Sequence, residues 1–275
     1  MKLSVMLFPF HTGLSQGVFE ARQLVRDLWC AGARAIEPMW SWIVKDPDKW
    51  AEFHAAARDA GMAYSCYDVG LNLVGTCEAD RAKALDDCKR QVDFARDVLQ
   101  CPIVMIPGSK PAEGMSNEDG RKIYGETLGK AAAAAAGSGV TICIENFGVY
   151  PHFAASAKHC LEVLDYAGGT AKFTFDNGNF LLGGDLPSEI LPLVADRVCH
   201  VHIKDFERRL PDDRPGLTSV HGVQYKGCLI GNGAAQGELC VNMLKASGYD
   251  GWFSAEVGGQ PLREAVHAVK TMALW

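Results

Sequence analysis

Four residues of metal-ligand type each close a separate apolar run: Glu145 in VTICIEN, Asp176 in FTFDNGN, His202 in VCHVHIKD and Glu256 in GWFSAEV. Each is followed by a turn or a polar segment. Three carboxylates and one imidazole make a hard, oxygen-rich donor set with a single nitrogen. That set suits one divalent ion, Mn²⁺ first, with Mg²⁺, Co²⁺ or Zn²⁺ as alternatives. Such an ion can take both oxygens of an α-hydroxy carbonyl compound and stabilise the enediolate left when the neighbouring carbon loses a proton. Charge stabilisation is the larger contribution, and a positioned base adds about 10²–10⁴ in rate. Reprotonation of the enediolate gives an isomer or epimer. Loss of a β-substituent gives dehydration or another elimination. The residues leave both outcomes open.

These side chains can meet only if their runs are neighbouring strands. Eight candidate strands occur, at 3–7, 33–37, 63–67, 103–106, 141–145, 172–176, 198–203 and 251–257. Between and after them lie stretches with apolar residues at three- and four-residue spacing, at 19–31, 47–60, 78–99, 117–138, 156–166, 187–193, 238–247 and 262–273. Gly32, Gly61, Gly139, Gly168 and Gly248 fall just past helices, where a left-handed residue ends the turn. Asp185 reads as a cap for the helix that opens at Pro187. Several strands are near-continuous Val, Ile, Phe and Leu, as parallel strands covered on both faces require. Eight βα units in 275 residues indicate an α/β protein, a single-domain (β/α)₈ TIM barrel. An open doubly wound sheet would carry a glycine-rich turn after its first strand, where this chain reads FPFHTG.

Spacing agrees with a barrel. Glu145 to Asp176 is 31 residues and Asp176 to His202 is 26, each about one βα unit. His202 to Glu256 is 54, and the surplus lies in 205–233, a Pro-, Gly- and Asp-rich stretch without helical period. After the seventh strand it would lie over the C-terminal mouth, where barrel active sites sit. Alternation places His200 one layer below His202, with Thr174, Cys143 and Ser254 likewise below Asp176, Glu145 and Glu256.

Hydrophobic content of 48% supports a large core, and the net charge of −6 argues against a nucleic-acid partner. No apolar run reaches the ~18 residues of a membrane span, and MKLSVMLFPFH reads as a first strand, not a signal peptide. The ten cysteines form no Cys-x-x-Cys pair and read as small buried or half-buried thiols in a reducing, cytoplasmic setting. Homo-oligomerisation is compatible with the sequence and not specified by it.

The runs GARAIEP, VMIPGS, ICIEN, FTFDNGN, HVHIKD and GYDGWFSAE, in this order along essentially the whole chain, resemble the xylose isomerase-like superfamily of sugar-phosphate isomerases and epimerases. The resemblance implies a TIM barrel with one divalent metal held by Glu145, Asp176, His202 and Glu256. It also implies that Glu145 and Glu256 act as acid and base on either side of a carbohydrate. The expected activity is that of a sugar isomerase or epimerase. Its alternative is a lyase or dehydratase acting on a keto-sugar, keto-glycoside or inositol-type substrate.

The chain departs from the epimerase pattern at three places. Asn179 stands where a strand-six histidine contacts sugar hydroxyls, Pro151 where a second glutamate is expected, and Glu207 precedes Arg208 and Arg209 where an arginine follows the strand-seven histidine. These departures argue against ordinary ketose 3-epimerisation. An endonuclease IV-like hydrolase needs strand-two and strand-three histidines that are missing here. A non-catalytic sugar-binding barrel is the remaining reading.

Further candidates for binding substrate are His11, Glu37, Lys110, Asn146, His152, Asn179 and Arg208, all at or after strand ends. Each has a plainer alternative. Glu37 could pair with an arginine, and His11, Lys110 and His152 could be loop residues. Asn146 could serve only the fold, and Arg208 could be surface. His200 reads as a satisfied inner-layer residue. Lys204 and Asp205 end strand seven, where an ion pair or a contact supporting His202 is expected. Trp40 and Trp42 could stack on a sugar or pack between chains.

Overall fold

The computed structural model describes residues 1–213 and 215–275. Strands β1 (Lys2–Met6), β2 (Ala35–Glu37), β3 (Ala63–Tyr64), β4 (Tyr67–Asp68), β5 (Ile103–Met105), β6 (Thr141–Glu145), β7 (Lys172–Asp176), β8 (Val198–Ile203) and β12 (Trp252–Ala255) form one parallel sheet. Its order is β3-β2-β1-β12-β8-β7-β6-β5-β4. The two ends of that order, β3 and β4, are halves of one broken strand. The sheet therefore returns on itself as a (β/α)₈ barrel. The break at Ser65–Cys66 is where the expected continuous strand 63–67 is corrected; Ser65 Oγ instead meets Ser4 Oγ at 2.6 Å across the interior.

Side-chain alternation builds the walls. On β7, Phe173 and Phe175 turn outward onto Phe180, with centroids 6.2 and 5.3 Å away. Thr174 and Asp176 turn inward and are fully buried. The outer core gathers Leu24, Phe53, Leu128, Leu164, Val241 and Val269 from the surrounding helices. The inner layer is small and polar, with Ser4, Ser65, Cys143, Thr174, His200 and Ser254 all buried. Cys143 Sγ and Thr174 Oγ1 are 3.2 Å apart.

The helices follow the expected periods: Ala21–Ala31, Pro47–Asp59, Glu78–Phe94, Asn117–Ala135, Ala157–Tyr166, Pro187–Val194, Gly237–Ala246 and Pro261–Met272. Gly32 ends the first of these at φ 118°, a backbone that an L side chain disfavours. Four short helices were not legible in the period, at His11–Ser15, Trp40–Lys45, Pro151–Ala154 and Asn177–Gly183. Asp185 does not cap the helix at Pro187. Its Oδ2 accepts from the Ala157 N–H at 2.7 Å and so serves the start of the helix Ala157–Tyr166. The expected burial of all ten thiols also needs correction, since Cys30 and Cys77 are exposed; all ten are free.

The stretch 205–233 is structured. β9 (Phe206–Arg208), β10 (Leu217–Thr218) and β11 (Gln224–Gly227) form an antiparallel sheet in the order β10-β11-β9. Phe206 and Tyr225 pack with Leu181, Leu182 and Ala235 in a satellite core, and the Val220 N–H donates to Leu182 O at 2.9 Å. The sheet is thereby tied to the helix that follows β7. Among the described residues, no helix is long and apolar enough to cross a membrane.

Asp205 anchors this excursion and does not touch His202. Its carboxylate accepts backbone N–H groups of Phe206 (3.0 Å), Gly231 (3.0 Å), Gly233 (2.8 Å) and Ala235 (3.0 Å). Asp205→Ala would leave four donors without their acceptor, and we expect a loss of about 2–4 kcal/mol. Urea unfolding at neutral pH measures it, and an unchanged midpoint would show that the loop does not depend on this carboxylate.

Candidate functional site

Each of the four metal-type residues sits where its strand runs out at the same end of the barrel. Glu145 and Asp176 are the last residues of β6 and β7, His202 is next to last on β8, and Glu256 follows β12. Register aligns them. Asp176 is paired with His202 across β7–β8, and the Glu256 N–H donates to Ile203 O at 2.9 Å. One donor atom from each of the four falls within 4.8 Å of all the others. His202 Nδ1 lies 2.7 Å from Glu145 Oε1, 3.7 Å from Glu256 Oε2 and 4.0 Å from Asp176 Oδ2.

The imidazole is fixed from behind. Its Nε2 lies 2.8 Å from Glu37 Oε1, while Glu37 Oε2 lies 3.0 Å from His200 Nε2. Glu37 is fully buried with both oxygens occupied by imidazoles. It therefore supports His202 from beneath. A carboxylate on one imidazole nitrogen sets the tautomer and aims the other nitrogen, here Nδ1, at the cluster. Burial pushes the Glu37 carboxyl up, but His202 and His200 together outweigh it and hold the group well below the usual carboxylate range. Burial likewise disfavours charge on His202, yet Glu37 and Glu145 raise its pKa well above the ordinary value. His200, facing Glu37 alone, is lowered by burial.

Lys204 reaches the same centre. Its Nζ lies 2.7 Å from Glu256 Oε1, 3.1 Å from Asp176 Oδ2 and 3.2 Å from Asn179 Oδ1. Burial disfavours the ammonium, but Asp176, Glu256 and Glu145 more than compensate and raise its pKa. Asp176 and Glu256 are both raised by burial, with Lys204 opposing. Asp176 divides its two oxygens: Oδ1 caps the following helix by accepting the Asn179 N–H at 2.8 Å, whereas buried Oδ2 has no hydrogen-bond donor aligned with it. A buried carboxylate oxygen without an aligned donor, beside an imidazole nitrogen and two further carboxylates, fits a cation ligand.

Two side-chain amides brace the strand ends. Asn146 donates Nδ2 to Asp176 O (2.8 Å) and accepts the Asp176 N–H (2.9 Å). Both ends of its amide are thus used to position Asp176. Asn177 does the same for Lys204, accepting its N–H at 3.0 Å and donating to Lys204 O (3.0 Å) and Ala235 O (2.8 Å). Asn179 is buried beside Lys204 at the cluster. Lys110, His152 and Arg208 do not join it. All three are exposed; Lys110 Nζ lies 5.9 Å from the Tyr150 ring centroid, and Arg208 sits on β9 opposite Tyr225. His11 stacks on Trp42 at 4.6 Å, so Trp42 is spent within the fold. Asp68 escaped the sequence reading. It ends the second half of the broken strand, is buried with Oδ2 unpartnered, and burial together with the Glu37 charge raises its pKa well above the usual carboxylate range.

The chain belongs to the xylose isomerase-like TIM barrel family, which it matches over residues 25–273. It is 26% identical over 153 residues to an inosose dehydratase of Clostridium botulinum, covering 53% of this chain and 49% of that protein. The matched stretches span about a third to a half of the length of such relatives. Among solved structures it is similar to the probable 3-DHS dehydratase AsbF of Bacillus anthracis (TM-score 0.75, 13% identity, 99% of each chain). It is also similar to the 3-keto-D-glucoside 4-epimerase YcjR of E. coli (TM-score 0.72, 16% identity, 100% of each chain). A third likeness is to the IolI protein with a bound zinc atom (TM-score 0.73, 17% identity, 100% of this chain and 97% of that one). At these identities the likeness establishes the shared barrel.

Burial pushes the His11 imidazole down to about 4, from an ordinary value near 6.5. The unfolded chain then binds a proton that the folded chain refuses, so this residue's contribution is present above pH 6.5 and lost as pH falls toward 4. His11→Gln should flatten the stability profile across that window by about 2–3 kcal/mol. Chemical unfolding of both proteins at several pH values tests it, and parallel profiles would remove His11 as a source of acid sensitivity.

Proposed function

We propose that this protein is a divalent-metal-dependent lyase that dehydrates an oxidised carbohydrate, a keto-sugar, keto-glycoside or inositol-type ring. The observation that carries the reading is the meeting of Glu145, Asp176, His202 Nδ1 and Glu256 within 4.8 Å, with Asp176 Oδ2 lacking an aligned donor. Those four residues would hold the ion, and Mn²⁺ is our first choice from the oxygen-rich donor set. When bound, the dication supplies a positive charge that polarises a carbonyl and stabilises negative charge on adjacent oxygens.

The protein's own groups do the rest. Glu145 and Glu256 come from non-adjacent strands and approach the centre from different sides, as a base and an acid working on one substrate must. Glu145 would take the proton from the carbon beside the carbonyl, and Glu256 would return a proton to the departing oxygen. Glu37 keeps His202 Nδ1 aimed at the centre, while Asn146 and Asn177 hold the backbone of Asp176 and Lys204. Asn179 is the cluster's neutral polar group and would contact a substrate hydroxyl. The sheet β9–β11, packed beside the β7 end, would cover the mouth. Dehydration is favoured over isomerisation by the relatives named as dehydratases and by Asn179 at the place of the epimerases' histidine. Epimerisation is the second reading, supported by the barrel shared with a 3-keto-glucoside epimerase.

Incubation with Mn²⁺ and a panel of an inosose, 3-DHS and a 3-keto-glucoside separates the two by mass. Dehydration yields a product lighter by one water, whereas an epimer keeps its mass; turnover of none of them, with Mn²⁺ bound, counts against both. Glu145→Gln should slow exchange of the substrate's α-proton in D₂O by about 10²-fold or more. Undiminished exchange with metal still bound would remove Glu145 from the base role. Glu37→Gln should weaken Mn²⁺ binding by about 10–100-fold, read by calorimetric titration, because the imidazole loses the carboxylate that aims it.

A further inference from the structure

We infer that Lys204 is the internal counter-charge of this centre and sets its affinity for a dication by competing for Asp176 and Glu256. The inference rests on the metal reading given above.

The ammonium is held in place from several directions. The Lys204 backbone is clamped by Asn177 through its N–H and its carbonyl, each at 3.0 Å. The stem runs across Gly178, where a side chain would collide with Lys204 Cγ, and Nζ lies 5.9 Å from the Phe206 ring centroid. The charged end then has three oxygen neighbours: Glu256 Oε1 at 2.7 Å, Asp176 Oδ2 at 3.1 Å and Asn179 Oδ1 at 3.2 Å. The side chain is 13% exposed, so bulk water screens these contacts poorly.

Two of those oxygens belong to carboxylates that would ligate the ion. Asp176 Oδ2 is also the oxygen that no hydrogen-bond donor is aligned to satisfy. Lysine and dication therefore draw on the same oxygen of Asp176, and on the same carboxylate of Glu256, where Lys204 takes Oε1 and Oε2 faces His202 Nδ1. The charge count gives the lysine a second consequence. Glu145, Asp176 and Glu256 supply three negative charges, a dication supplies two positive ones, and Lys204 supplies the third. The ammonium balances the three ligand carboxylates against the dication, so that only the buried Glu37 charge behind His202 is left over, and it keeps the three carboxylates from repelling one another before loading. It also stands next to the incoming ion as a like charge. A residue in this position stabilises the protein before loading and weakens the ion's binding, two effects of opposite sign on one side chain.

The experiment compares the full-length protein with Lys204→Met and, as a second neutral variant, Lys204→Gln. Manganese alone is titrated by calorimetry after chelator treatment, and thermal unfolding is recorded before and after addition. The expected result is Mn²⁺ affinity raised about tenfold or more in both variants, with the melting temperature before addition lowered. A lysine that served only the fold would lower both affinity and melting temperature. Affinity unchanged or weakened in a variant that folds by circular dichroism overturns the inference while leaving the metal reading intact. Binding detected in neither the wild-type protein nor the variants overturns the metal reading, and the inference with it.

Discussion

Everything at the mouth of this barrel follows from crowding carboxylates around one imidazole in a place water scarcely enters. Glu37, Glu145, Asp176 and Glu256 all lie within ion-pairing range of His202, whose side chain is fully buried. Like charges at such separations repel strongly in a low-dielectric interior, and each carboxylate also loses hydration. The arrangement persists only because positive charge stands among them. The raised pKa values of His202 and Lys204 and the lowered one of Glu37 are one statement of this demand. A centre that draws protons this strongly also has the electrostatics to draw a dication, which delivers more charge to the same point.

The rest of the fold can be understood as the apparatus that keeps such a cluster from flying apart. Parallel strands end at one face of the barrel, so residues from β6, β7, β8 and β12 reach a common point by register alone. Register does not fix side chains to within an ångström, and side-chain amides at the strand ends do the rest. Asn146 ties the end of β6 to the end of β7 by two hydrogen bonds. Asn177 ties the start of the next helix to Lys204 and to Ala235. Asp205 then gathers four backbone donors and returns the chain from the antiparallel excursion toward β12. These neutral or locally satisfied polar groups supply rigidity without adding charge where charge is already in excess.

The sequence disclosed the barrel and the four central residues because both depend on short-range rules. A strand of alternating or continuous apolar residues that stops at a carboxylate is visible without knowing its neighbours. So β6, β7 and β8 were legible to the residue, and Glu145, Asp176, His202 and Glu256 with them. The supporting roles depend on contacts across the barrel and left little local trace. Glu37 meets His202 from 165 positions away, and nothing near Glu37 announces two histidines above it. Asn146 and Asn177 resemble loop residues in the chain, yet their amides are consumed by backbone partners 27 to 58 positions distant. Lys110, His152 and Arg208, exposed and apart from the cluster, show the converse case. Position after a strand places a residue on the correct face of a barrel, but it does not turn the side chain toward the centre. Asp68 was hidden by the break at Ser65–Cys66, which displaces the end of the third strand beyond where its apolar run stops.

Choice between elimination and epimerisation turns on how many protons must be handled and from which side. An epimerase that works by deprotonation has to return a proton to the opposite face of the same carbon, so it needs two comparable groups facing each other across the substrate. A dehydratase removes one proton and assists one departing oxygen, and those tasks fall at different atoms. The groups around this centre are unequal. Glu145 is engaged only with His202 among the contacts that define the cluster, whereas Glu256 is joined to the Lys204 ammonium at 2.7 Å. Burial raises the Glu256 carboxyl despite that cation, which suits it to carry the proton a departing oxygen needs. Asn179, also on Lys204, can donate or accept a hydrogen bond but cannot exchange a proton as a histidine would. An imidazole-bound carboxylate on one side, with a Lys204-paired carboxylate and a neutral amide on the other, is an asymmetric pairing. Asymmetry of that kind suits a reaction whose two proton transfers occur at two different atoms.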